Sequence, residues 1–126
     1  MKVQRFEELI AWQKAMDLAV EMFELAAIGK IAKRFALRDQ IERAALSVPS
    51  NIAEGFERGT RAEFHRFLSI AKASCAELRT QLYLAHRLRY IDDAKLKHLL
   101  GGAEEVGRII GKLRKSVAPQ RQPKSS

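Results

Sequence analysis

Apolar residues recur at alternating steps of three and four along almost the whole chain. No segment alternates with period two and no Asn-Gly or Asp-Gly hairpin signal occurs, so helix is the regular structure this sequence supports. Leu9, Trp12, Met16, Ala19, Phe23 and Ala26 form the expected core face of a first helix, which Gly29 closes, with Lys30 to Arg34 as the connection. A second helix runs from about Phe35 to Phe56 and turns Leu37, Ile41, Ala45, Val48, Ile52 and Phe56 inward. Pro49 lies inside it, and its missing amide and crowded ring predict a bend or break between Ser47 and Ser50. After the turn Glu57-Arg58-Gly59, Thr60-Arg61-Ala62-Glu63 reads as a capping box in which Thr60 and Glu63 satisfy each other's amides. The third helix then continues to about Leu88, burying Phe64, Leu68, Ala71, Cys75, Leu78, Leu82 and Ala85. Asp92 or Asp93 caps a fourth, with Leu96, Leu99, Ala103, Val106, Ile110, Leu113 and Val117 inward.

Four amphipathic helices joined by short turns predict an all-α fold, an antiparallel up-down four-helix bundle over residues 1–117. The remainder, APQRQPKSS over residues 118–126, lacks apolar anchors and reads as a disordered basic tail. With 126 residues, 47% of them hydrophobic, one domain with one core is expected. Cys75 is the only cysteine, so no internal disulfide forms and a reducing compartment is expected. Glu7, Glu8, Gln13, Lys14 and Asp17 interrupt any signal-peptide run, and no stretch reaches the roughly 18 apolar residues of a membrane span. The expectation is a cytoplasmic protein with no membrane partner.

The third helix is apolar over more than its core needs. Phe67 and Leu88, then Ile70 and Leu84, widen its arc to roughly 160°, against about 100° for an ordinary core stripe. Either this helix sits centrally in its own bundle, or Phe67, Ile70 and Leu84 meet a second subunit.

Chemistry is sparse. No glutamate has a histidine three positions later, and His65, His86 and His98 are neither paired at one-turn spacing nor joined by other cysteines, so no metal is expected. Gly102 and Gly107 have phosphate-loop spacing, but Arg108-Ile109 stands where Lys-Ser/Thr is required. Gly107 and Gly111 read instead as positions of close helix approach. Cys75 falls in a core column with no histidine a turn away and reads as a buried inert thiol. No catalytic residue, cofactor or enzymatic activity is expected.

Charge is the functional signal. Lys and Arg number 23 against 15 Asp and Glu, leaving +8, an excess that favours a polyanionic partner. His65, Lys72, Arg79 and His86 recur every seven residues on the third helix, and Arg66 and Arg87 extend that column. Arg58 and Arg61 lie at one turn, while Lys33 and Arg34 belong to a cluster with Lys30 and Arg38 near one end of the bundle. These ten, His65, Arg66, Lys72, Arg79, His86, Arg87, Arg58, Arg61, Lys33 and Arg34, are the candidate nucleic-acid contacts. Arg108, Lys112 and Lys115 line the fourth helix, where cations also complement the helix dipole. Each cluster also reads as a solvated face. The aromatics fall mostly in core columns, so phosphate attraction without base readout is the implied mode.

Particular segments carry a family resemblance. Phe6-Glu7-Glu8-Leu9-Ile10-Ala11-Trp12-Gln13-Lys14-Ala15 resembles the first helix of the bacterial four-helix-bundle family named for proteins encoded in intervening sequences of 23S rRNA genes. Arg43-Ala44-Ala45-Leu46-Ser47-Val48-Pro49-Ser50-Asn51-Ile52-Ala53-Glu54-Gly55 resembles that family's most recognisable segment, and Glu63 to Ala71, Ser74, Ala76 to Leu78 and Thr80 to Leu82 continue the match. The resemblance spans Phe6 to Val117, with Gly101-Gly102 and the basic tail as departures. It implies an antiparallel four-helix bundle and a homopentameric ring. It also implies similarity to the accessory variability determinant of diversity-generating retroelements, a basic pentamer that associates with nucleic acid and a reverse transcriptase. No activity of the intervening-sequence branch carries over. Within the motif, Arg43, Ser47, Pro49, Asn51 and Glu54 form a polar set around the proline, read either as local bonds to the backbone groups that proline frees or as a ligand site.

The expected function is a small non-enzymatic oligomer associating with RNA or DNA through phosphate contacts. The alternative is an oligomeric adaptor for a protein such as a reverse transcriptase.

Overall fold

A computed structural model describes residues 2–119; residues 120–126, most of the tail expected to be disordered, lie outside the described residues. A short 3-10 turn at Phe6–Glu8 leads into α1 (Ile10–Ala26), followed by α2 (Gly29–Lys33), α3 (Phe35–Glu57), α4 (Arg61–Arg87) and α5 (Asp93–Ser116). No strand occurs among the described residues. The four long helices close a ring of contacts, α1 on α3, α3 on α4, α4 on α5 and α5 back on α1. At its centre Met22, Ile41, Val48, Ile52, Leu68, Leu78, Leu82 and Ile110 are fully buried. Each such side chain contributes about 1.5–3 kcal/mol of burial.

The first helix is rotated from its expected setting. Its core face is Ala11, Ala15, Leu18, Ala19, Met22, Leu25 and Ala26, while Met16 (39%) and Phe23 (37%) stay exposed and Trp12 is half-buried. The polar residues Gln13, Lys14, Asp17, Glu21 and Glu24 occupy one arc and leave two apolar flanks of similar strength. Packing selects the flank whose alanines admit α3 and α5 closely, a shift of about one residue, or about 100°. The expected connection also differs. Ala27 ends α1, and Gly29, at φ 61°, opens α2 rather than closing α1. Ile31, 1% exposed, anchors that short helix.

Pro49 does not break α3, which runs uninterrupted through it with the proline buried. Asn51 Nδ2 donates to the Ser47 carbonyl (2.8 Å) and to Ser47 Oγ (2.9 Å), and Ser74 Oγ of α4 lies 2.8 Å from Ser47 Oγ. These bonds do not reach the carbonyl of Ala45 that the proline leaves without its usual partner. Their effect is to tie α3 to α4. Glu54 pairs instead with Arg58 at 3.0 Å, and Arg43 is exposed, so the polar motif does not converge on one point.

Close approach of α3 and α4 has a specific cause at Gly55. A Cβ there would lie 2.6 Å from Phe67 Cβ and 3.1 Å from Phe64 Cδ1, so only glycine fits the crossing. At the following turn Gly59 takes φ 81°, and Thr60 Oγ1 accepts the amide of Glu63 at 3.2 Å. The capping box is half formed. The Glu63 carboxylate takes a bond from Arg66 Nε (2.8 Å), which holds its carboxyl below the usual range. Asp92 caps α5 by accepting the Lys95 amide at 2.8 Å.

Candidate nucleic-acid interface

Lys72 and Arg79 stand two turns apart on α4, and Arg108, Lys112 and Lys115 span two turns of α5. The two rows wall a groove of about 500 Å³ between the helices. Cys75, Ala103, Gly107 and Gly111 contribute to its lining as small groups, and Glu104 is the one carboxylate there. All five cations are exposed, and among the described residues none makes an ion pair or a side-chain hydrogen bond. A concave surface in which one sign of charge predominates concentrates its field.

The glycines keep this groove open. A Cβ at Gly111 would press on Lys72 Cε at 3.3 Å, and one at Gly107 would touch Cys75 Cβ at 3.9 Å. What approaches α5 at Gly111 is thus the aliphatic stem of Lys72 rather than a helix backbone. Cys75 itself is buried, and desolvation pushes its thiol up to about 11 against the smaller opposing pull of Arg79 and Lys72. It therefore lines the groove as a neutral thiol near pH 7.

Only two of the ten expected contacts, Lys72 and Arg79, enter the groove. His65 is half-buried one heptad before Lys72, and His86 Nε2 lies 2.6 Å from Asp93 Oδ1. Arg66 and Arg58 are paired with Glu63 and Glu54, and their guanidinium carbons sit 4.5 and 5.1 Å from the Phe67 ring centroid. Arg61 Nη2 donates to the carbonyls of Ser116 (2.9 Å) and Ala118 (3.4 Å), serving the open end of α5. Arg34 Nε donates to Tyr90 Oη at 2.9 Å. Lys33 and Arg87 are exposed but lie away from the groove.

The expected subunit contact also changes membership. Phe67 is 6% exposed, covered by Arg58, Arg66 and the crossing at Gly55, so it has no free face to offer a second chain. Ile70 and Leu84 (47%) remain exposed. Leu84 and Leu88 join Phe35 and Leu37 in a second, apolar groove of about 520 Å³ rimmed by Lys33 and Arg34. Phe23, Phe35 and Tyr83 are exposed aromatics, contrary to a wholly core placement, yet none lines the cationic groove.

Among the described residues no group of three or more His, Cys, Asp or Glu could hold a metal ion, and no helix is long and apolar enough to cross a membrane.

A family model described as "23S rRNA-intervening sequence protein" matches residues 7–112. Among solved structures the chain is similar to the crystal structure of a protein of unknown function from the S23 ribosomal protein family of Bacteroides thetaiotaomicron. The two share 24% identity over 84% of this chain and 99% of that one, with a TM-score of 0.76, a likeness of fold alone. No curated protein matches.

Proposed function

The chain belongs to the 23S rRNA-intervening sequence protein family, and from that premise we propose that it is a small, non-enzymatic, self-associating cytoplasmic protein. In this reading it attaches to RNA or DNA through phosphates, and the groove between α4 and α5 is the contact surface. The carrying observation is that groove's five cations, without ion-pair partners among the described residues, against one carboxylate in its lining. Elsewhere Arg58, Arg66 and His86 already have carboxylate partners inside the chain. An up-down helix order accompanies this reading, supported by the ties Lys14 to Glu105 and Glu21 to His98, which advance along α1 while they retreat along α5. Exposed Ile70, Leu84 and Leu88 support self-association, for which the family resemblance implies a five-membered ring.

Anisotropy titration of labelled RNA and DNA oligomers of unrelated sequence tests the proposal. Log affinity should fall linearly with log salt, by about 0.7 to 0.9 per phosphate contacted. Replacing Lys72 and Arg79 together by Ala should weaken all sequences by similar factors and flatten the slope, because phosphate contacts carry no sequence information. Arg66→Ala should change little. If neither nucleic acid binds at low salt, the reading fails, and the apolar groove of Phe35, Leu84 and Leu88 favours the protein-adaptor alternative.

A further inference from the structure

Resting on the phosphate-binding reading, we infer that the α4–α5 groove takes a single strand of nucleic acid, not a duplex, and holds it by two or three successive phosphates with the bases turned outward. The first ground is shape. A duplex holds its two phosphate rows apart across its grooves, the major one about 12 Å wide and the minor about 6 Å. Here the charged surface is concave, with Lys72 and Arg79 on one wall and Arg108, Lys112 and Lys115 on the other. A lone backbone strand meets both walls at once, whereas the phosphates of a duplex bridge the rim and reach the cations only at their tips.

Length is the second ground. Each row spans seven residues, about 10.5 Å of helix at 1.5 Å per residue. A strand advances about 3.4 Å per phosphate in a duplex and further when extended, so the groove accommodates about two or three. The third ground is what the lining lacks. Its small groups, Cys75, Ala103, Gly107 and Gly111, include no aromatic on which a base could stack, while backbone can lie close against α5 where two glycines carry no side chain. With Gly111 against Lys72 and Gly107 against Cys75, Glu104 falls level with Arg79 and would repel phosphate there, which leaves Lys72, Lys112 and Lys115 as the stronger end of the inferred strand site.

The glycine variants keep charge constant and change only shape, while Glu104→Gln removes the opposing charge in the groove. Gly107→Leu projects a side chain into the groove and Gly101→Leu places the same group on the same helix outside it, where nothing lies within 4 Å of the Cβ. Circular dichroism and melting select variants that fold. A twelve-nucleotide RNA strand, the same sequence as DNA, and the corresponding duplexes are titrated by anisotropy at one salt concentration. The wild-type protein and Gly101→Leu should bind single strands at least tenfold more tightly than duplexes. Gly107→Leu should lose that preference while keeping its duplex affinity, and Glu104→Gln should tighten single-strand binding several-fold. Should Gly107→Leu not fold, Gly111→Ser, judged by the same ratio, replaces it. Equal or tighter duplex binding, or a groove variant indistinguishable from wild type, overturns the single-strand inference and leaves the broader nucleic-acid reading standing. Absence of binding to every probe at low salt overturns both.

Discussion

Replacing Gly55 by Ala is the sharpest probe of how this fold is packed. The added methyl would sit 2.6 Å from Phe67 Cβ and 3.1 Å from the Phe64 ring. Carbon atoms prefer separations of about 3.5–4.0 Å, so the deficit is about 1 Å. Phe64 can turn its ring, but Phe67 Cβ is fixed to the backbone of α4, so relief requires the two helices to part. Parting opens the core around Val48, Ile52 and Leu68, all fully buried. Overpacking typically costs about 1–3 kcal/mol, and this site belongs at the upper end because no rotamer change relieves it. Against that, Gly→Ala inside a helix contributes about 0.5–1 kcal/mol. The net expectation is a loss of about 2 kcal/mol, or about 8 °C in Tm for a domain of this size. Gly101→Ala is the matched control. It lies in α5 with nothing within 4 Å of the added atom, so the same change should stabilise by about 0.5–1 kcal/mol. Urea and thermal unfolding followed by circular dichroism, at one protein concentration because self-association shifts Tm, measure both. A Gly55→Ala protein as stable as wild type, or shifted upward like the control, would refute the packing account.

Cys75, raised to about 11 in the folded state, stays protonated while the unfolded thiol ionises from about pH 9, so its contribution is intact below pH 9 and lost as pH rises towards 11. The stability difference between wild type and Cys75→Ala should therefore move against wild type by about 2–3 kcal/mol over that window, and a flat difference would contradict the burial argument. Thr60→Ala and Asp92→Ala each remove a helix cap and should cost about 1 kcal/mol in urea unfolding; no loss in either would mean that the cap bonds contribute nothing. Ile70→Glu or Leu84→Glu should loosen the assembly in light scattering with helicity retained. A wild-type 14.3 kDa monomer at micromolar concentration would end the self-association reading.

Much of the fold was legible because α3, α4 and α5 each have one strong apolar face and well-marked ends: Gly59-Thr60 before α4, Asp92 before α5. The first helix was not, because Trp12, Met16 and Phe23 offer as good a stripe as Ala11, Ala15 and Met22, and only packing decides between them. At Pro49 the missing amide is legible in the sequence, yet α3 continues through the buried ring. Among the basic residues, periodicity locates a column but not its partners. Arg58, Arg61 and Arg66 look like Lys72 and Arg79 in sequence, and differ in having Glu54, the α5 carbonyls and Glu63 within reach. The contribution of α5 was visible as the spacing of Arg108, Lys112 and Lys115, but its helix-dipole explanation hid the fact that this row faces Lys72 and Arg79.

Three ties join α4 to α5: Arg61 to the Ser116 carbonyl, Arg114 Nε to Ser69 Oγ at 2.6 Å, and His86 to Asp93. Packed helices usually move by shear, sliding along one another, and a slide of one turn here, about 5.4 Å, would break all three together. Sliding of α5 along α4 is thus opposed at both ends of their seam. In the proposed role the ordering cost falls on the long side chains of the five cations, at about 0.5–1.5 kcal/mol for each one immobilised. In the proposed phosphate-binding role such a surface acts as a ruler rather than a glove, matched to one spacing of charge and not remoulded to each partner.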